Sequence, residues 1–247
     1  MGKDRVLLNI KRYKQRNNEC SVCAASSIAN YYDKAMTYKN VRRLVPLRMR
    51  KSGLYTSQQA RLLNELGFEW ITMVTSDVDM VDYSWSDLTK KQIVAKLKKL
   101  RTYIRRSIGH MAPHASYCMV QKSRKECVSD LIGWLESSEY DNNLIIDNDF
   151  SKYIKRSLGK GFPVVVSINA TSMFKLKKGG KANSDITGEH EEHSVVIRGY
   201  DDKGVFIVDS DHQFLTGDLA RYKSGFYKVS WVKLLTNTSG CDLILVG

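Results

Sequence analysis

Three side chains of this 247-residue sequence have the types and placement of a nucleophile, its base and an orienting group: Cys20, His193 and Asp209. Cys20 stands where a loop turns into the small-residue run CSVCAASSIANYYD, which reads as a helix with Val22, Ala25, Ile28, Ala29 and Tyr32 on its buried face. Unpaired backbone N–H groups and the dipole at a helix N-terminus stabilise a thiolate and lower the thiol pKa. A nucleophilic thiol also needs a base that holds its proton near neutral pH, usually histidine. Of the five histidines, His193 opens an apolar strand, and the strand returning from it ends in VDSD at Asp209. A tight hairpin brings those two positions to the same end. There the carboxylate accepts from the second ring nitrogen and fixes the tautomer.

Other readings of these residues stay open. Cys23 is a second possible nucleophile, or a small buried residue on the helix. Cys20 and Cys23 with His190 and His193 would make a Cys2His2 zinc set, although this CxxC runs into a helix and not into a tight ligand loop. His110, His114 and Cys118 recur at four-residue spacing, but Pro113 argues for a loop there. Asp211 could replace Asp209 as orienter; otherwise it belongs with His212 to a solvated loop. Lys178-Gly179-Gly180-Lys181 reads as a flexible loop over a cleft before it reads as a processing site. No metal or organic cofactor is expected.

The elements that would position the triad are legible from pattern. Helices are expected over residues 20 to 33 and 39 to 44. A further helix in SGLYTSQQARLLNELGF is capped by Thr56 or Ser57 and ended by Gly67. A strand is expected over 70 to 75. Residues 76 to 150 read as an inserted helical subdomain. It would hold a basic amphipathic helix from Lys90 to Arg106, with Ile93, Leu97, Leu100 and Ile104 at helical spacing, and a second helix near Glu126 to Leu135. FSKYIKRSLGKG is then a helix, and FPVVVSINA a buried strand with Pro163 at its start. Val195 to Tyr200 and Val205 to Val208 form a hairpin around Asp201-Asp202-Lys203-Gly204, and SGFYKVSW and CDLILVG supply the last strands. The expected architecture is α+β: a helical N-terminal half packed on a C-terminal antiparallel sheet, one domain over 1 to 247, with a cleft between the halves.

Composition sets the outer limits. Content is 43% hydrophobic and 26% charged, ordinary for a globular protein. No apolar run approaches the roughly 18 residues of a membrane span, and no signal peptide is read, so a cytoplasmic setting (of the producing or a target cell) is expected. Five cysteines, an odd number, fit free thiols in a reducing compartment. Net charge is +13, with the excess concentrated between Lys90 and Lys125. That run is either a surface for nucleic acid or an acidic partner, or a solvated helix face.

Five segments in order resemble the papain-like peptidases, and among them the bacteriocin-leader (double-glycine) peptidases and their stand-alone relatives. They are QRNNECSVCAASSIANYY, GLYTSQQARLLNELGF, SKYIKRSLGKGFPVVVSIN, EHSVVIRGYDDKGVFIVDSD, and FYKVSWVKLL with the terminal LILV. The resemblance covers most of the chain outside about 76 to 150, and departs from the family where Ser21 replaces the usual glycine after the nucleophile. It implies a papain-like cysteine peptidase fold and matches Cys20 to the nucleophile, His193 to the base and Asp209 to the orienting carboxylate. Gln15 matches the oxyanion-hole glutamine, with Asn17 or Asn18 as alternatives. The expected activity is hydrolysis of peptide or isopeptide bonds through an acyl-enzyme, with a peptide or protein as substrate. An acyltransferase or amidase with the same triad, or a binding module built on the basic insertion, are the alternatives.

Overall fold

Small side chains decide where the first helix can go. In the computed structural model, which describes residues 5 to 110, 116 to 174, 191 to 211, 224 to 238 and 240 to 247, every residue from Ser21 to Asn30 of α1 (Cys20–Tyr32) is buried. A helix buried on all faces must present small or apolar residues all round, and the serines and alanines of α1 meet that demand. Ser26 returns its hydroxyl to the Val22 carbonyl at 2.7 Å. After β1 (Val6–Leu7) and α1 come α2 (Tyr38–Leu44), α3 (Leu47–Ser52), α4 (Thr56–Glu65) and β2 (Trp70–Thr75). Next are α5 (Lys90–Gly109), α6 (Ser116–Leu135), β3 (Asp141–Ile146), α7 (Phe150–Gly159), β4 (Val164–Asn169) and α8 (Ala170–Phe174). β5 (Glu192–Asp201), β6 (Gly204–Val208), β7 (Phe226–Ser230), α9 (Trp231–Thr236) and β8 (Asp242–Val246) complete the described chain.

The strands form a single sheet in the order β3-β2-β8-β4-β5-β6-β7, with β1 paired to β5 off that path. Pairing is antiparallel except between β2 and β3. Side chains alternate across the sheet. Val165, Val196, Ile244 and Val246 face the layer of α1, α4, α5 and α6. Val164, Val166, Val195, Ile197 and Leu243 face α7 and α9. Both faces are covered, which is why these strands read as continuous β-branched runs. The fold class is therefore the expected α+β, papain-like one.

Several elements differ from the reading of the sequence. The stretch expected as a helical insertion holds two long helices but ends in β3, which joins the main sheet beside β2. Asparagine is depleted in strands, so Asn142 and Asn143 hid it; the structure instead uses Asn142, whose side chain donates to the Trp134 carbonyl at 2.9 Å. α6 begins at Ser116, well before Glu126; Met119 and Val120 near its start are exposed, so they gave no buried apolar stripe to read. α3 has no fully buried residue, Met49 being only partly buried, and left no periodicity to read. The N-cap of α4 is Tyr55, not Thr56 or Ser57: the Tyr55 N–H donates to Gln58 Oε1 at 3.1 Å. Thr56 turns its hydroxyl to Asp242 instead. Gly67 lies just past the helix at φ +96°, a left-handed conformation that favours glycine.

The apolar faces of α5 and α6 are part of the core under the sheet. Ile93, Leu97 and Ile104 of α5 and Val128, Leu131 and Trp134 of α6 belong to the same buried cluster as α1 and Val165 of β4. The Trp134 indole N–H donates to Asn64 Oδ1 at 3.0 Å, tying α6 to α4. Leu97→Ala removes a fully buried side chain and is expected to cost about 2–5 kcal/mol. Urea unfolding followed by tryptophan fluorescence and by far-UV circular dichroism checks this. The two probes should shift together in one transition, whereas an early, separate transition would mark the helices as an independent unit.

Candidate active site

The register of one hairpin brings His193 and Asp209 together. Val196 pairs with Val208, so His193 and Asp209 both lie just beyond the last pair at the same end. A His193 ring nitrogen, Nε2, meets Asp209 Oδ1 at 2.7 Å, with both side chains buried. Nδ1 is then the nitrogen that faces Cys20, to which the imidazole is hydrogen-bonded. Cys20 is the first residue of α1, and Glu19 before it supplies no side-chain cap. The Glu19 carboxylate accepts instead from Arg42 at 2.8 and 2.9 Å and from the Tyr38 hydroxyl. The first N–H groups of the helix thus stay directed at the cleft, as at any uncapped N-terminus.

Asp209 is held from several sides. The Tyr227 hydroxyl donates to Oδ2 at 2.7 Å and the Asp211 N–H donates to Oδ1 at 2.8 Å. Arg12 fixes the backbone around it, donating to the carbonyls of Asp209, Asp211 (3.0 Å) and Ser224 (3.0 Å). Gly225, at φ +71°, makes room for this clamp: a Cβ there would sit 1.9 Å from Arg12 Nε. The pairing sets the ionisation of all three groups. Burial disfavours the charged form of Asp209, but His193 and the Tyr227 hydroxyl outweigh it and hold the carboxyl below the usual range. Burial also works against charge on His193, yet Asp209 and Cys20 raise its pKa well above the ordinary value. For Cys20, burial is overcome by the bond and charge of His193, the Ser194 N–H and the Ser21 hydroxyl, so the thiol is held low.

Gln15 and Cys20 line the same cleft of about 880 Å³. The Gln15 backbone N–H donates to the Ser210 carbonyl at 3.0 Å. Its side-chain amide donates to Asp211 Oδ2 at 3.0 Å, and its Oε1 accepts from the Ser210 hydroxyl. Of its alternatives, Asn18 lines the cleft and donates to the Lys51 carbonyl at 2.8 Å. Asn17, exposed at φ +51°, is not among the described lining residues. Cys23 is fully buried, and burial first, then the charges of Cys20 and Glu19, push its thiol up. Asp211 carries the Gln15 amide, while Asp209 meets the ring. Among the described residues no group of three or more His, Cys, Asp or Glu is placed to hold a metal ion. His110 is exposed at the C-cap of α5. His114, the Cys118 side chain, the glycines at 179 and 180, His190 and His212 lie outside the described residues.

Pattern reading missed Arg12, Gln59 and Tyr227. Gln59, buried in the middle of α4, bridges the two halves: its amide donates to the Ser21 carbonyl at 3.0 Å and its Oε1 accepts from the Ser194 hydroxyl at 3.0 Å. It links the residue after Cys20 to the residue after His193. The one available signal was a glutamine on the apolar face of an amphipathic helix.

A cysteine at a helix start, with a buried His–Asp pair carried by a sheet across a cleft, defines the class of papain-like cysteine peptidases. Within it, residues 7–238 match the model described as the Peptidase_C39 like family, and the chain belongs to that family. No curated protein and no solved structure matches the chain. Membership of a peptidase family supports a cysteine peptidase activity. No helix among the described residues is long and apolar enough to cross a membrane.

Gln59→Leu leaves the Ser21 carbonyl and Ser194 hydroxyl without their partner. The expected loss is about 1–3 kcal/mol, read by urea denaturation, with slower alkylation of Cys20 in the folded variant. Unchanged stability together with unchanged thiol reactivity would remove the bridge from the account.

Proposed function

We propose that this protein hydrolyses peptide bonds with Cys20 as nucleophile, His193 as base and acid, and Asp209 as the orienting carboxylate. The observation that carries the reading is the position of His193, hydrogen-bonded on one side to Asp209 and on the other to Cys20. A lowered thiol pKa beside a raised imidazole pKa describes a thiolate–imidazolium pair formed before substrate arrives.

In the proposed reaction the Cys20 sulfur attacks the carbonyl carbon of the scissile bond. The carbonyl oxygen gathers negative charge and accepts from the Cys20 N–H and from the Gln15 amide, whose second N–H is not used by Asp211. As the C–N bond breaks, His193 gives its proton to the leaving amine and a thioester remains. His193 then takes a proton from water; the hydroxide attacks the thioester, the thiolate leaves and the acid is released. Asp209 stays ionised and stabilises the imidazolium in both halves.

Iodoacetamide labelling of the native protein with peptide-level mass spectrometry tests this reading. Cys20 should label selectively at pH 6 to 7, since a lowered pKa leaves thiolate above it, and the rate should fall only as pH drops through that lowered value. Turnover should also fall as pH rises through the raised His193 pKa, because the leaving amine then finds no proton. Cys23, Cys127 and Cys241, all raised chiefly by burial, should label slowly. His193→Ala should abolish the selectivity, and Cys20→Ala should abolish turnover. Asp209→Ala should lower kcat about 10- to 1,000-fold, since the hairpin retains part of the orientation. Full turnover in Cys20→Ala, or equal slow labelling of all thiols, would sink the assignment.

A further inference from the structure

Among the described residues, the wall of the cleft carries charge opposite to that of the whole molecule. Against a net charge of +13, the described lining residues include Glu126, Asp130, Glu191, Glu192 and Asp211, with Arg48 as the only Lys or Arg. None of Glu126, Asp130 and Glu192 forms an ion pair among the described residues. Glu192 precedes the base on β5, and its side chain opens on the cleft.

Beneath that wall is an unusual buried group. Asp242, at the start of β8, is 5% exposed in the middle of the sheet and points to the helical face, as Ile244 and Val246 do. Its carboxylate accepts from the hydroxyls of Thr75 and Thr56, and Thr56 itself lines the cleft. Asp242 Oδ1 has no hydrogen-bond partner. Burial, then the Asp242 charge, push Asp77 up to about 6. Burial also takes Asp242 up to about 6, with the Glu192 charge adding to it. Although Glu192 opens on the cleft, the protein around its carboxyl and the Asp77 charge raise it too. Three carboxyls that destabilise one another are thus grouped, and of the three it is Glu192 that lines the cleft. A buried carboxylate oxygen without a partner is costly. Asp242 is not itself a lining residue of the cleft, but Thr56, which donates to it, is, so a cation held beside Glu192 and Thr56 would offset the Asp242 charge through that side chain.

We propose that this end of the cleft is a subsite for a cationic group, a Lys or Arg side chain of the peptide substrate close to the scissile bond. The site is formed by Glu192 and Asp130 on the walls and Asp242 below Thr56. This rests on the peptidase reading for the identity of the substrate, but not for the binding of the cation. The basic exterior sharpens the specificity: nonspecific attraction to a +13 molecule favours acidic peptides, so a cationic peptide gains only where the local charge is reversed.

The test is fluorescence anisotropy with the full-length Cys20→Ala chain, which binds without cleaving. The probes are labelled tetralysine and its Nε-acetylated form, compared at low ionic strength. Tetralysine should bind at least about 10-fold more tightly than the acetylated peptide, and the ratio should fall about 5-fold or more in Glu192→Gln and in Asp242→Asn. Equal binding of the two peptides, or a ratio unchanged in both variants, overturns the subsite. A positional peptide library digested by the unmodified protein separates the two claims. Cleavage enriched for Lys or Arg at one position supports both, and cleavage without that preference overturns the subsite alone. A library left uncut, with an unreactive Cys20, overturns the peptidase reading, and the anisotropy result then decides the subsite by itself.

Discussion

The hydrogen-bonded pair of His193 and Asp209 is the constraint on which the rest of this structure depends. Two ionisable groups are almost fully removed from water, and desolvation on that scale is repaid only if geometry is good and the remaining lone pairs are satisfied. The surroundings of Asp209 follow from this requirement. Tyr227 comes from β7, the Asp211 N–H from the chain just beyond, and Arg12 from the segment between β1 and α1. Each element that closes around the pair also fixes where His193 stands.

The Cys20 thiol meets that fixed imidazole from the other half of the molecule, and α1 and Gln59 govern the meeting. A bulkier α1 could not lie between the sheet and α4 with ten consecutive residues buried. Gln59 then sets the offset between Ser21 and Ser194 through two hydrogen bonds inside a low-dielectric interior, where such bonds are strong and their loss is costly. Glu19 contributes by being occupied elsewhere: its carboxylate, bonded to Arg42 and Tyr38, leaves the start of α1 uncapped. Preorganisation of the site is spread over residues far apart in sequence.

The same cleft has two electrostatic regimes a short way apart. Around Cys20, His193 and Asp209, the carboxylate is matched by donors and a cation, and pKa values move toward the charged forms. At the end near Glu192, Asp77 and Asp242, burial and like charges move them toward the neutral forms. The helices of the middle segment belong to this second region, since α6 brings Glu126 and Asp130 to the cleft while its apolar face joins the common core. The exposed side of α5 carries Lys91, Lys98, Lys99, Arg105 and Arg106, so this part of the positive excess lies on the outside.

The sequence by itself determined the elements whose pattern and packing coincide. α1, the glycine stop of α4, the strands of the hairpin and the positions of Cys20, His193 and Asp209 could all be read, because burial imposes a period of two or near four on the residue types. Where burial and pattern part, the reading failed. The exposed Met119 and Val120 of α6, the helix α3 with no fully buried residue, and the asparagine-bearing β3 gave no periodic signal. Only the tertiary structure decided that β3 joins the sheet, that Tyr55 and not Thr56 caps α4, and that Arg12, Gln59 and Tyr227 hold the site. Their roles are hydrogen bonds across large separations in the chain, up to 212 residues for Arg12 and Ser224. A polar side chain carries no local mark of the distant atom it will meet once the backbone has closed around it.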